Sequence, residues 1–581
     1  GKSVYLLMID RFGREGGKKS GDESACSESQ DWCYGTIKGI TEHVAYIKGL
    51  GFDCVWITPP VKNYDKDDSI NSSCGSGASG YAGYWAEDWY AIDANFGTEA
   101  DLKELSATLH KEGMCLVLDI VANHVRPIHS AADVAMVKPF DDISYYHQKN
   151  AVGIAPPKDF DEYAAKYCNW PNAIQGQGPG TLCYLTMSDD GTPDYTNGGN
   201  YCNNYQGNEP WNKSSYLGEQ AAGPPDFTYC GPGNYDCIGY DEENTHLGWF
   251  YDLGDLNQSV PFVRQELLKW VRYMIDTYDV DGIRLDTAPF MDWDFLHELQ
   301  AAAWPVQIYG EVTTTNLTFH ASFQRYPPVA GGLPVLHGMS NFPATYMATP
   351  GYCGPNTGSP STAVAYFNLS QLAIVMEKQV TSGEYATVHS LMNFMSQQDS
   401  APVANYCRDP SQIRNSLVWT MFSYGIPVVA WGTEQGNEVY RNSLWQTGYD
   451  TSPWEYKLIS QLNAIRRQTQ VALQSTEIIF HRAEKLVFTR GGQFGVWVFT
   501  NNLEAGASPV KYPVSLPETA GRVWKNALTG AVVQPTAHEL VVESTEPLVL
   551  VQVDSATPPL EGKSPSEVNT KALPSGRGSA D

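Results

Sequence analysis

Short apolar runs alternate with helically spaced apolar positions through most of the chain. VYLLMIDRF (residues 4–12) opens as a buried strand. Ile37, Ile40, Val44 and Ile47 recur at helical spacing, predicting a helix over 37–50 before FDCVWITP, a second strand. Leu102, Leu105 and Leu109 mark one face of a helix over 101–112, and LVLDIVANH (116–124) is the third strand. DLNQSVPFVRQELLKWVRYMIDTY (255–278) is helical. GIRLDTAPF (282–290), IYGEV (308–312) and HSLMNFMSQQD (389–399) then read as strands that each end in an acid. A helix over 413–422 and a last strand in GIPVVAWGTEQ (425–435) complete the alternation. From about Gln470 the period changes to two in LVFTR, FGVWVFT, RVWKNALTG, ELVVES and LVLVQV, an antiparallel β domain. Between 125 and 249 neither period holds, and so long an irregular stretch is an insertion. The Pro-, Ser- and Gly-rich end, 555–581, is expected to be disordered.

Strand–helix alternation predicts an α/β fold with parallel strands. Acids at or near the C-terminal ends of such strands stand where a (β/α)8 barrel carries its active site. The expected organisation is a barrel from 1–124 and 250–469, the insertion 125–249, a β-sandwich over 470–554 and the tail. In GIRLDTAPF, Arg284 and Asp286 are two apart and leave the same face of a strand. An arginine beside a carboxylate holds it ionised, which suits a nucleophile. A lone R-x-D is more often a structural ion pair; here it has the company of Asp119, Asn123, His124, Glu311 and Asp399 at other strand ends. Glu311 follows Tyr309 and Gly310 in an apolar strand, where burial would raise its pKa.

Composition narrows the function. The chain has 581 residues, 42% hydrophobic and 18% charged, which is ample for a large core. A net charge of -27 argues against nucleic acid and anionic membrane surfaces as partners. No transmembrane run occurs, and the start at GKSVYLLMID reads as that of a processed product. Of 12 cysteines, Cys26, Cys33, Cys168, Cys183, Cys202, Cys230 and Cys237 lie in polar loops and read as disulfides of an oxidising compartment. Cys54 and Cys115 sit inside apolar strands and are expected to be buried free thiols. Asn71, Asn212, Asn257, Asn316 and Asn368 head glycosylation sequons.

The four acid-bearing segments, in their order, resemble the four conserved regions of glycoside hydrolase family 13, the α-amylase family. The resemblance runs from Val4 to about Asp554, and its nearest branch is the fungal α-amylases. It implies a TIM barrel with an inserted domain B and a C-terminal β-sandwich. It also implies Asp286 as nucleophile, Glu311 as general acid/base and Asp399 as stabiliser of the oxocarbenium-like state. Tyr84 and Trp85, from the aromatic segment GYAGYWAEDWY, would line the sugar site with Arg284, His124, Gln398 and Phe290. A structural calcium ion would sit between barrel and domain B on Asn123, Asp255 and Phe290, with a further carboxylate expected near Tyr235 and Asp236. The chain departs from the family at three histidines: Ala82, Pro289–Phe290 and Gln398 stand where fungal α-amylases carry histidine or Lys-His. These departures resemble the GPI-anchored 4-α-glucanotransferases of fungal cell walls. The expectation is a monomeric, secreted enzyme of the fungal cell surface that acts on α-1,4-glucan or maltooligosaccharides and prefers transfer to hydrolysis. A secreted starch-hydrolysing α-amylase and an inactive glucan-binding relative are the alternatives. The terminal SGRGSAD lacks the hydrophobic tail of a lipid-anchor signal, so the anchor rests on the resemblance alone.

Overall fold

A computed structural model describes residues 2–17, 32–65, 79–128, 131–147, 253–354, 366–407, 409–507, 509–518 and 521–554, with a few isolated positions between 186 and 246. Eight strands close a barrel: β1 (Val4–Leu7), β2 (Cys54–Ile57), β3 (Cys115–Ile120), β4 (Gly282–Leu285), β5 (Gln307–Gly310), β6 (Gly338–Ser340), β7 (Leu391–Asn393) and β8 (Ile426–Ala430). They pair in parallel, in sequence order, and β8 returns to β1 with Val4 opposite Val428. β1, β2 and β3 are buried at every position, as strands covered on both faces must be.

The helices follow from apolar stripes facing this barrel. α1 (Glu99–Lys111) buries Leu102, Leu105 and Leu109, and its Thr98–Asp101 capping box satisfies the first amides. α2 (Pro261–Tyr278) starts on a proline, whose missing N–H costs nothing at a helix start. It buries Val263, Leu267, Trp270, Val271 and Met274, at about 2 kcal/mol for each large side chain. The helix expected over 37–50 is two, Ile37–Glu42 and Val44–Leu50, because His43 leaves helical geometry while its ring bonds the Gly39 carbonyl.

α3 (Pro410–Phe422) leads into β8, and after the barrel α4 (Trp454–Thr469) carries the chain to an antiparallel six-stranded sheet spanning 476–554. A two-stranded sheet, Val510–Tyr512 with Leu540–Val542, accompanies it around a separate core that includes Trp497, Phe499, Tyr512 and Trp524. Arg490 joins this domain to the barrel. It is 1% exposed and donates to the carbonyls of Phe422 and Ser423 at the end of α3, and to those of Val471 and Gln474 beyond α4. Arg466 of α4 caps the Met421 carbonyl beside them. Helix C-termini attract cations, so these buried arginines are matched by backbone dipoles.

One cysteine expectation changes. Cys54 and Cys115 are not free thiols: they form a disulfide, because the β2–β3 register sets them opposite each other with Cα atoms 4.3 Å apart. Their apolar strand context hid a pairing that only register reveals. Cys353 and Cys407 form a second disulfide. Cys26, Cys168, Cys183, Cys202, Cys230 and Cys237 lie outside the described residues, as do Asn71, Asn212, most of the 125–249 insertion with Tyr235 and Asp236, and the 555–581 tail. Among the described residues, no helix is long and apolar enough to cross a membrane.

Candidate active site

The C-terminal ends of β3, β4 and β5 converge on one guanidinium. Arg284 lies on β4 opposite Asp119 of β3 and Tyr309 of β5, and is 1% exposed. Its Nη1 donates to Asp119 (2.9 and 3.1 Å) and to Asp286 Oδ1 (2.9 Å), and its Nη2 pairs with Glu311 Oε1 at 2.7 Å. The two-residue spacing of Arg284 and Asp286 thus produces the same-face contact expected of a strand. Asp286 and Glu311 directly follow β4 and β5 and are fixed by their own amides, which donate to the Ile120 and Leu285 carbonyls. Two carboxyls on adjacent nitrogens of one guanidinium lie a few ångström apart, and retaining glycosidases hold theirs about 5–5.5 Å apart.

Electrostatics distinguish the two acids. Burial pushes Asp286 up to about 6, against the lowering effect of Arg284. The arginine therefore does not hold this carboxyl below its ordinary value, as the R-x-D spacing alone implies; desolvation outweighs it. Burial drives Glu311 further, to about 8, with the charges of Asp286 and Asp399 adding to the rise. At neutral pH the pair therefore holds an ionised Asp286 and a protonated Glu311. The Thr287 amide donates to Glu311 Oε2 at 3.2 Å, from a left-handed backbone (φ 48) that is costly for a β-branched residue.

Around the pair, Tyr84 places its ring 5.7 Å from the Arg284 guanidinium and donates its hydroxyl to Asp119 Oδ2 (2.8 Å). Trp56 Nε1 donates to the same oxygen at 3.0 Å. Asp119, to which the sequence assigned no role, is thus the buried counter-anion that orients Arg284. His124 Nε2 bonds the Tyr84 carbonyl and stands 4.0 Å from Asp286 Oδ2. Burial lowers His124 to about 4, so the ring is neutral at working pH. Trp85, half-buried, donates its amide to Asn63 Oδ1.

Three expected residues sit differently. Asp399 does not end a strand: β7 stops at Asn393, and the acid lies on the following turn, half exposed and paired with Arg441 at 2.6 Å. Gln398, beside it, is 1% exposed and its amide makes no hydrogen bond among the described residues. Phe290 is 6% exposed within a short helical turn, Ala288–Phe290, so its ring is packed inward. Asn123 and Asp255 are brought together by the pairing of His124 with Asp255. The Asn123 amide and Asp255 Oδ1 are buried without hydrogen bonds among the described residues, while Asp255 Oδ2 meets His147 Nδ1 at 2.5 Å. Oxygen donors buried without a proton partner fit a hard cation.

A family profile described as the α-amylase catalytic domain matches residues 9–177. α-Amylase 2 of Schwanniomyces occidentalis is 28% identical over 526 residues, 88% of this chain and 82% of that protein. The α-amylase of Saccharomycopsis fibuligera is 26% identical over 530 residues, 88% and 83% respectively. Among solved structures, an α-amylase from Malbranchea cinnamomea superposes with a TM-score of 0.69 at 23% identity, covering 95% of this chain and 96% of that one, a likeness of fold. With the closed parallel barrel and the buried acids at its C-terminal rim, these matches make the chain similar to the enzymes of the α-amylase family of glycoside hydrolases.

Proposed function

We propose that the protein is a retaining α-1,4-glucan enzyme working through a covalent glucosyl intermediate on Asp286. The supporting observation is the pair of carboxyls shared by Arg284, with Glu311 the more strongly protonated. In this reading Glu311 gives its proton to the leaving glycosidic oxygen while Asp286 attacks the anomeric carbon, and Glu311 then takes a proton from the incoming hydroxyl. Arg284 holds both carboxyls at the reacting centre. Asp399 stabilises the positive charge that develops on the sugar, and Tyr84 with His124 bounds the donor pocket. Asn123 and Asp255 would hold a structural calcium ion that ties the insertion to the barrel rim and supplies no step of the reaction, with Phe290 the third ligand that the family resemblance implies.

The incoming hydroxyl is, on this proposal, that of a second sugar more often than that of water, making the enzyme a 4-α-glucanotransferase. Pro289 and Phe290 are apolar and buried where the family resemblance leads one to expect Lys-His, and Gln398 stands where it leads one to expect a histidine. Both changes remove groups that would hold water against the intermediate, and transfer wins only where an acceptor is better positioned than water. Hydrolysis as an α-amylase is the second reading, favoured by the names of the curated relatives. The two disulfides and the sequons favour an extracellular, cell-wall setting. Product analysis on maltoheptaose decides between the readings: products longer than the substrate support transfer, and shorter sugars alone at all times leave hydrolysis.

A further inference from the structure

Asp399 stands apart from the other two acids in how it is held. Asp286 and Glu311 leave strands directly and are locked by barrel amides. Asp399 lies on a turn past β7, where its own amide bonds only the neighbouring Gln397 side chain, and its carboxyl is 46% exposed. A carboxylate on an exposed turn would sample several rotamers if nothing held it, yet its charge reaches both Asp286 and Glu311 and helps raise them.

Arg441 supplies the missing constraint. Its Nη2 meets Asp399 Oδ1 at 2.6 Å, its Nε donates to the Gln398 carbonyl at 2.9 Å, and its Nη1 donates to the Tyr81 hydroxyl at 2.7 Å. One planar guanidinium thus grips the side chain of Asp399 and the backbone before it, a geometry that a lysine ammonium does not reproduce. Arg441 adopts a left-handed backbone (φ 50), a cost that persists only where neighbours enforce it. The enforcement is visible. Trp431, past β8, donates its amide to Leu6 of β1 and its Nε1 to the Asn442 carbonyl, fastening the loop to the barrel. Tyr81 is 5% exposed and carries the Arg11 guanidinium over its ring at 4.3 Å. Arg11 is itself paired with buried Asp10, whose carboxylate takes the Cys33 amide at 2.8 Å.

We infer that Arg441 is a positioning residue for catalysis, clamping Asp399 in the orientation that faces the reacting sugar and rooting it, through Tyr81 and Arg11, in the short helix Ile9–Phe12 that follows β1. This rests on the reading of Asp399 as the stabilising acid. The test is a double-mutant cycle on the full chain with maltoheptaose: Arg441→Gln, Asp399→Asn, and both together. The expected result is a kcat loss of about tenfold to a hundredfold for Arg441→Gln, the scale of a 1 Å misplacement, with KM changed less than about threefold. The double variant should be no slower than Asp399→Asn, since the arginine acts through that carboxylate. Arg441→Lys should recover little of the loss and Tyr81→Phe should show a smaller one, both with an unchanged melting temperature. Losses that multiply in the double variant, or a wild-type kcat for Arg441→Gln beside a crippled Asp399→Asn, overturn the clamp. A wild-type kcat for Asp399→Asn overturns the underlying assignment of that acid, and the clamp falls with it.

Discussion

Replacing Arg284 by methionine removes the cation on which three carboxyls depend. The guanidinium makes four contacts of 2.7–3.1 Å with Asp119, Asp286 and Glu311, all in a buried pocket. Methionine fills a similar volume but leaves three acids facing one another. Deleting one member of a buried ionic network costs about 3–5 kcal/mol. If that cost appears in the transition state, the rate falls between about a hundredfold and several thousandfold, at 1.36 kcal/mol per factor of ten. The sign of the pH effect is fixed as well. Arg284 is the chief influence that lowers the Asp286 pKa, so its loss drives that pKa above about 6 and the fraction of ionised nucleophile at pH 7 drops. The assay is kcat/KM on maltoheptaose from pH 4 to 9, whose acidic limb reports the free enzyme. An acidic limb that stays in place or moves to lower pH while the rate falls would refute the reasoning, leaving Arg284 acting on the substrate alone.

Asp286→Asn and Glu311→Gln should each lower kcat by several orders of magnitude, because neither role has a substitute in the site; near-normal turnover of either removes its assignment. Unmodified enzyme should give a bell-shaped profile, since activity needs Asp286 ionised and Glu311 protonated. Its rate should fall as pH drops below about 6 and as it rises above about 8, and a rate that climbs steadily through pH 9 would contradict this. Cys353→Ser should destabilise the fold by up to about 4 kcal/mol, the loop-entropy value for the 54-residue separation it closes, measured by denaturant titration against the oxidised parent.

The barrel was legible because parallel strands covered on both faces read as apolar runs, as in 54–57 and 116–120, while the run over 4–12 turned into a short helix after Leu7. Arg284 and Asp286 were legible as neighbours because the strand period is two. What stayed hidden depends on register and on turns. Asp119 enters the Arg284 shell only because β3 and β4 pair Arg284 with Asp119, and Cys54 meets Cys115 for the same reason. Asp399 looked like a strand terminus because MNFM is apolar, but β7 ends at Asn393, whose amide turns to bond Ser423 and the Tyr424 carbonyl. Its partner Arg441 sits on another loop, where no period links the two. The balance of burial against Arg284 at Asp286 was likewise invisible, since sequence shows a charge partner but not the depth at which it lies.

The position of Arg490 bears on how this protein can be cut. Its five-membered carbonyl shell would be assembled from two segments that flank β8 and α4, while the arginine itself comes from the C-terminal sheet. Ending the chain before Lys485 therefore does more than delete an accessory module. It uncaps the helix that leads into β8, the strand that closes the barrel onto β1, and leaves inward-facing carbonyls with no donor. Barrel and sheet should consequently melt in one transition, and a catalytic fragment lacking the sheet should not accumulate as a folded protein. Insertions and fusions are better borne by the turn at Gly491–Gly492, which is positive in φ at both residues and stands on the solvent side of the same sheet.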